Sequence, residues 1–384
     1  MPNKFRRSNG YIFAIIALNT IWVLLFCFRT HLNHCHVFRI TKHSVEKKPP
    51  VARPMTVNGE SNISMVMNRI WAFRENSAEK TFLYKKLLQE KHTFNKTNID
   101  LFRKDIGADL GRNFSKVFIV DQQNSPLGTK LRYNLKSSKK KYFTVTEDFH
   151  KRIPKRSKFG NVRRCSVIGN SGIILGSNCG KEIDEADFVF RCNAAPIPPF
   201  TADAGKKSNL TSFNPSIFTN RYNHLKKEEN FTQFLEDMRV YNGYIWGACF
   251  STSGYIKECL RTLQNYNITE NVFVIGHPDH FRNHMIFWEK RGLSKRPSTG
   301  FYFTNMAIYH CDEVHLYGFW PFPHMVDSTI KKPPYHYFDD MKFDFEIKNR
   351  DVHIMDMEFS ILVQLHLLGI IKMHIGECDD GSRT

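Results

Sequence analysis

From about Arg163 onward the chain alternates short apolar runs of β character with helical ones, a pattern that restricts it to an α/β fold built on a mainly parallel sheet flanked by helices. Residues 166–168, 188–190, 244–246, 272–275 and 314–317 read as strands, most bounded by glycine or an Asn/Asp-rich turn. Helical patterns lie between several of them, as at 231–238 and 300–310. Such sheets bind ligands at the carboxyl ends of their strands. Asn170-Ser171, Arg191-Cys192-Asn193 and Gly318 to Phe322 stand there, joined by the capped helix start Ser298-Thr299-Gly300. The turn after the first strand has its glycines spaced G-x-x-G-x-x-x-G, not the G-x-G-x-x-G of a dinucleotide site. A phosphate cradle and an ordinary tight βα turn both fit that spacing.

The N-terminus bears on compartment. Lys4, Arg6 and Arg7 precede a nearly uninterrupted apolar run from Tyr11 to Phe28, about the length that crosses a bilayer. Bulky Leu24, Leu25, Phe26, Cys27 and Phe28 stand where a cleaved signal would have small residues, so an uncleaved anchor with a cytosolic tail is expected. Six N-x-S/T triplets, at Asn62, Asn95, Asn113, Asn209, Asn230 and Asn267, place the remainder in the secretory pathway. Disulfides persist there. Cys27 lies in the span and Cys35 just beyond it, and the other seven cysteines contain no C-x-x-C pair, so one or two long-range bridges are expected rather than a zinc site. The expected division is a tail at 1–10, the anchor at 11–28, a stem and basic linker at 29–155, and a lumenal domain at 156–384. One helix is expected in the stem, around 77–91, with Phe82, Leu83, Leu87 and Leu88 as its apolar stripe.

A net charge of +18 invites a nucleic-acid partner, which a lumenal body removes. The charge is concentrated between Lys130 and Arg164, with thirteen Lys and Arg against Glu147 and Asp148. A polyanionic glycan or acidic protein surface suits that run, and so does a solvated linker.

Four segments carry a resemblance. Arg164 to Pro196, continuing through DAGKKSNLTSFNPS, resembles the large sialylmotif of the animal sialyltransferases. RPSTGFYFTNMAIYHCDEVHLYGFWPF, Arg296 to Phe322, resembles the small one. Tyr335 to Asp339 is similar to the short third motif, and His353 to Phe359 to the very small motif H-x-M-x-x-E. The wording of the small motif and the Cys165 to Cys179 spacing most resemble the α-2,8-sialyltransferases, especially the oligo- and polysialic-acid-forming branch.

The resemblance implies a single-pass Golgi enzyme of type II orientation with a variant Rossmann-like (GT-A-like) fold. It would transfer sialic acid from CMP-sialic acid to the 8-hydroxyl of a terminal sialic acid on a glycoprotein or glycolipid, with inversion and without a metal. No D-x-D pair is present, in keeping with metal independence. The resemblance further implies bridges Cys165–Cys311 and Cys179–Cys378. It makes His353 the general base and gives His336 a role at the leaving phosphate. Asn170, Asn193, Ser298, Thr299 and Gly300 fall to the nucleotide and phosphate, and Trp320 to an aromatic wall. Glu358 would orient the segment that follows His353.

Departures from the pattern are Phe338, where tyrosine is usual, and Cys249, where no cysteine is expected; a bridge to Cys259 and a free thiol are both open. Residues 257–297 carry only seven Lys and Arg against four acidic residues, so short oligosialylation is as compatible as polymerisation. The competing readings are an α-2,3- or α-2,6-sialyltransferase acting on galactose and a catalytically silent glycan-binding scaffold.

Overall fold

The computed structural model describes residues 78–111, 117–134, 141–156, 159–326, 332–338 and 353–378. The expected anchor, tail, Cys27, Cys35, Asn62 and Asn113 lie outside them. Among the described residues no helix is long and apolar enough to cross a membrane.

Seven strands form one sheet: β3 (Val162–Ile168), β4 (Phe188–Arg191), β5 (Leu210–Phe213), β6 (Gly243–Gly247), β7 (Asn271–Ile275), β8 (Cys311–Tyr317) and β9 (Lys372–Met373). A separate antiparallel pair joins β1 (Lys130–Arg132) to β2 (Tyr142–Thr144). The sheet order is β7-β6-β5-β4-β3-β8-β9, and every pairing in it is parallel. All five strands expected from the sequence are present. β5 was not among them, because Thr211 and Ser212 interrupt its apolar character although both are fully buried.

Parallel sheets need both faces covered. On one face pack α1 (Ala78–Leu88), α2 (Lys96–Leu110), α6 (Pro278–Glu289), α7 (Thr299–His310) and α8 (Met355–Leu367), around Trp246, Phe287, Trp288, Phe301 and Phe303. On the other lie α3 (Glu147–Arg152), α4 (Glu228–Met238) and α5 (Ile256–Asn265), around Phe213, Phe218, Phe234 and Phe273. Helix α7 is apolar nearly all round and buried along its length, as a helix laid inside a core must be.

Residues 78–155, read from the sequence as stem and basic linker, belong largely to this body. The Tyr84 hydroxyl bonds Ser360 at 2.6 Å and its ring meets Phe359 edge-on. Phe102 packs against Phe287 and Trp288, and Arg103 donates to the carbonyls of Ile308 and Cys311, closing the carboxyl end of α7. Val120 donates to the Ile275 carbonyl at the β7 edge. In the stripe expected on α1, Leu87 and Leu88 are buried but Phe82 is 68% exposed; Tyr84 takes the inner position.

The chain runs outward from β3 to β7, then crosses back to place β8 on the other side of β3. That reversal opens a crevice at the carboxyl ends of β3 and β8. There the two turns touch: a Cβ on Gly169 would stand 2.4 Å from the Gly318 carbonyl oxygen. Gly318 takes a positive φ of 70°, and the Ser171 amide donates to its carbonyl at 3.0 Å. Cys165–Cys311 bridges the same seam and Cys179–Cys378 ties the C-terminal segment to it, as the resemblance implied. A third bridge, Cys249–Cys259, resolves the open alternative, and Cys192 is the free, buried cysteine among the described residues.

The two kinds of glycine separate experimentally. Gly169→Ala is expected to cost about 1–3 kcal/mol through overpacking against Gly318. Gly107→Ala, in helix α2 with nothing within 4 Å of the added Cβ, is expected to stabilise by about 0.5–1 kcal/mol. Thermal unfolding of the two variants checks the contrast.

Candidate active site

The crevice is a cleft of about 910 Å³ including its open mouth. All eight residues assigned to catalysis or donor binding line it: Asn170, Asn193, Ser298, Thr299, Gly300, Trp320, His336 and His353. They come from the ends of β3, β4 and β8, from the start of α7, and from the segments leading into and preceding α8.

Asn170 donates from Nδ2 to the Cys192 carbonyl at 3.1 Å, while its buried Oδ1 has no partner among the described residues. Asn193 sits at φ 57°, a left-handed conformation that asparagine tolerates, with its backbone amide on Ser212 Oγ at 2.8 Å. Arg191 is not among the residues lining the cleft: its guanidinium is buried, with Nε donating to the Lys207 carbonyl and Nη1 and Nη2 without a partner among the described residues. Cys192 lines the cleft, and burial pushes its thiol up to about 12, so it is a packing group rather than a nucleophile.

Ser298 caps α7, accepting from the Phe301 amide at 3.2 Å. An α-helix leaves its first amides unsatisfied, so those of Thr299 and Gly300 stand ready at the cleft wall for an anion. Gly300 has room only because it lacks a Cβ, which would come within 2.9 Å of the Phe319 ring. Trp320 is 3% exposed, edge-on to Phe322 and Phe359, with its indole N–H on the His324 carbonyl. It is therefore a core residue that closes the cleft from behind; the half-buried Phe319 is the more accessible aromatic.

Glu358 is buried and takes hydrogen bonds from the Ser298 amide at 2.8 Å and from the Ser298 hydroxyl. Burial pushes its carboxyl up to about 7, against the opposing pull of Ser298 and Arg296. His353 bonds through Nδ1 to the Arg296 carbonyl at 2.7 Å. A carbonyl only accepts, so Nδ1 carries the proton and the neutral ring presents an unprotonated Nε2. Burial holds this imidazole below its ordinary range; the bond to the Arg296 carbonyl opposes that, and the Arg296 guanidinium reinforces it. His336 also lines the cleft, stacked on Phe338 with ring centroids 5.1 Å apart, a ring contact that the usual tyrosine would equally provide. The Tyr337 amide donates to the Asn170 carbonyl and its hydroxyl to that of Pro196, fastening the third motif to the first.

The model of glycosyltransferase family 29 (sialyltransferase) matches residues 119–370, most of the body just described. The chain belongs to that family. An alpha-2,8-sialyltransferase 8F of Mus musculus is 36% identical over 270 residues, covering 68% of this chain. The chain spans 65% of the length of that relative. An alpha-N-acetylneuraminide alpha-2,8-sialyltransferase of Xenopus tropicalis is 34% identical over 294 residues, covering 74% of this chain and 80% of the relative. A crystal structure of a mammalian sialyltransferase in complex with Gal-beta-1-3GalNAc-ortho-nitrophenol aligns with 84% of this chain and all of its own at 20% identity and TM-score 0.41.

For this sialyltransferase-family chain, the site residue that sequence reasoning missed is Asn214. It lines the cleft and reaches Thr299 Oγ1 at 3.4 Å. The signal was present in Phe213-Asn214-Pro215, a strand end followed by a cap and a proline at the first helical position, but β5 itself had not been recognised. Of the sequons, Asn95 and Asn267 are exposed, Asn209 and Asn230 half-buried, and the Asn209 side-chain oxygen accepts from the Val189 amide.

A carboxyl whose pKa is higher folded than unfolded binds its proton more tightly in the native state, so stability falls as pH rises between the two values. For Glu358 that window runs from about pH 4.5 to about 7. Wild-type protein is expected to lose a few degrees of Tm across it relative to Glu358→Gln, as read by thermal unfolding at pH 5 and 7.5.

Proposed function

We propose that the protein transfers sialic acid from CMP-sialic acid to the 8-hydroxyl of a terminal sialic acid on a glycoconjugate. The reaction is inverting and needs no metal, on a variant Rossmann-like (GT-A-like) scaffold held in the Golgi membrane by residues 11–28, with 29 to about 77 as stem. The observation that carries this reading is His353, which lines the donor cleft on one side and a second cleft on the other, with its Nε2 free to accept a proton.

In the proposed step the acceptor oxygen forms its bond to the anomeric carbon as the bond to the CMP phosphate breaks. The hydroxyl proton passes to His353 Nε2, and CMP leaves with the bonding electron pair. The α7 amides, Asn170 and Asn193 hold the donor, and His336 supports the charge that grows on the departing phosphate. The lowered pKa of His353 keeps the ring neutral and basic in a mildly acidic lumen. The names of the relatives favour the α-2,8 linkage over transfer to galactose.

The test is full-length protein with CMP-sialic acid and sialylated or desialylated acceptor glycoprotein or glycolipid, resolving products by mass and linkage. Transfer to sialylated acceptor alone, unaffected by chelator, is expected. His353→Ala is expected to lose about 10²–10⁴ in kcat/KM with Tm nearly unchanged. The acidic limb of the wild-type profile should fall below pH 6.5, the ordinary imidazole value. Transfer to the desialylated acceptor alone overturns the linkage.

A further inference from the structure

His353 and Thr299 belong to the walls of two clefts, and the second runs toward the carboxyl ends of β6 and β7. Its wall combines Trp246, Asn134 and Ser251 with Arg296, the one Arg or Lys among its described lining residues. Three polar atoms of these residues are buried with no hydrogen-bond partner among the described residues: Trp246 Nε1, Asn134 Oδ1 and Ser251 Oγ. Trp246 is 3% exposed, so its indole N–H has lost water without gaining an acceptor. Arg296 is half-buried, and its guanidinium has no hydrogen bond or ion pair among the described residues; Glu358 acts on it only through space. A fold does not leave a desolvated cation beside orphaned donors and acceptors without cost. The set suits a polyhydroxylated ligand bearing one carboxylate.

We propose that this second cleft is the acceptor subsite and that Arg296 is its specificity-determining residue, pairing with the carboxylate of the acceptor's terminal sialic acid. The inference rests on the transfer reaction proposed above and adds to it. Arg296 holds the base through its backbone carbonyl and recognises the acceptor through its side chain, so one residue sets the hydroxyl against His353 Nε2. Guanidinium and carboxylate match as a two-pronged charge-assisted pair, and a galactose-terminated glycan offers no such charge. Selectivity for sialylated acceptors then comes from a cation that only they neutralise.

The experiment compares full-length wild type, Arg296→Gln and Arg296→Lys on a sialylated acceptor and on the same acceptor with its terminal carboxylate converted to the methyl ester. Wild type is expected to prefer the free acid by about 10- to 100-fold in kcat/KM. Arg296→Gln should raise the acceptor KM by a similar factor, leave the KM for CMP-sialic acid within about twofold, and reduce the acid-to-ester ratio to near one. The ratio is independent of how much protein folds. Arg296→Lys, which keeps the charge but loses the fork, is expected to fall between the two and supplies the ratio if the glutamine variant does not accumulate. A ratio that stays at the wild-type value in either variant overturns the proposal, as does a change confined to the donor KM. A wild type that transfers to neither or only to desialylated acceptor defeats the α-2,8 reading instead, a separate outcome from a wild type that uses the acid with Arg296 having no part in choosing it.

Discussion

The close approach of Gly169 and Gly318 is the contact on which the rest of the site depends. Two strand ends meet where the sheet order reverses, and neither turn has room for a Cβ. Their contact sets the floor of the crevice, and Ser171 reinforces it by donating to the Trp320 carbonyl at 2.9 Å. Cys165–Cys311 locks the same pair of strands from the other end, joining residues 146 apart in sequence. A bridge closing so long a loop acts chiefly by restricting the unfolded chain. The glycines place the ligand-binding turns, and the cysteines keep the strands beneath them together.

Above that floor, the short stretch from Arg296 to Ser298 carries most of the electrostatics. The Arg296 carbonyl fixes the His353 tautomer, the Ser298 hydroxyl caps α7, and the Ser298 amide holds Glu358. The candidate base, the start of α7 and the buried carboxyl are therefore positioned by two residues, Arg296 and Ser298, and cannot drift independently. A carboxyl pushed up to about 7 places less negative charge beside the α7 amides than an ordinary carboxylate would.

The strands around the crevice were legible because their apolar runs are bounded by glycine or by asparagine. β5 was not, since Thr211 and Ser212 look solvent-facing until Ser212 is seen to bond the Asn193 amide. The missed strand hid Asn214. Helix α1 was placed correctly but with Phe82 turned inward, because a local stripe does not reveal which face α8 covers. The body begins well before residue 156 for the same reason: Phe102 sits among charged neighbours and Phe118 in an apolar run of only four residues, and their packing against Trp288 and Trp246 shows that they are core.

The sequence by itself determined the alternating α/β character, the turns, the sequons, the cysteines and, through four motifs, the family and the candidate residues that the cleft brings together. Those are properties of neighbouring residues, carried by local period, steric need and wording. Only the tertiary structure decided that Arg296, without a side-chain partner among the described residues, stands beside orphaned polar groups, that His353 presents Nε2, and that Glu358 is buried against Ser298. Each depends on desolvation and on contacts between residues far apart in the chain, which have no signature until the sheet reverses and brings them to one edge.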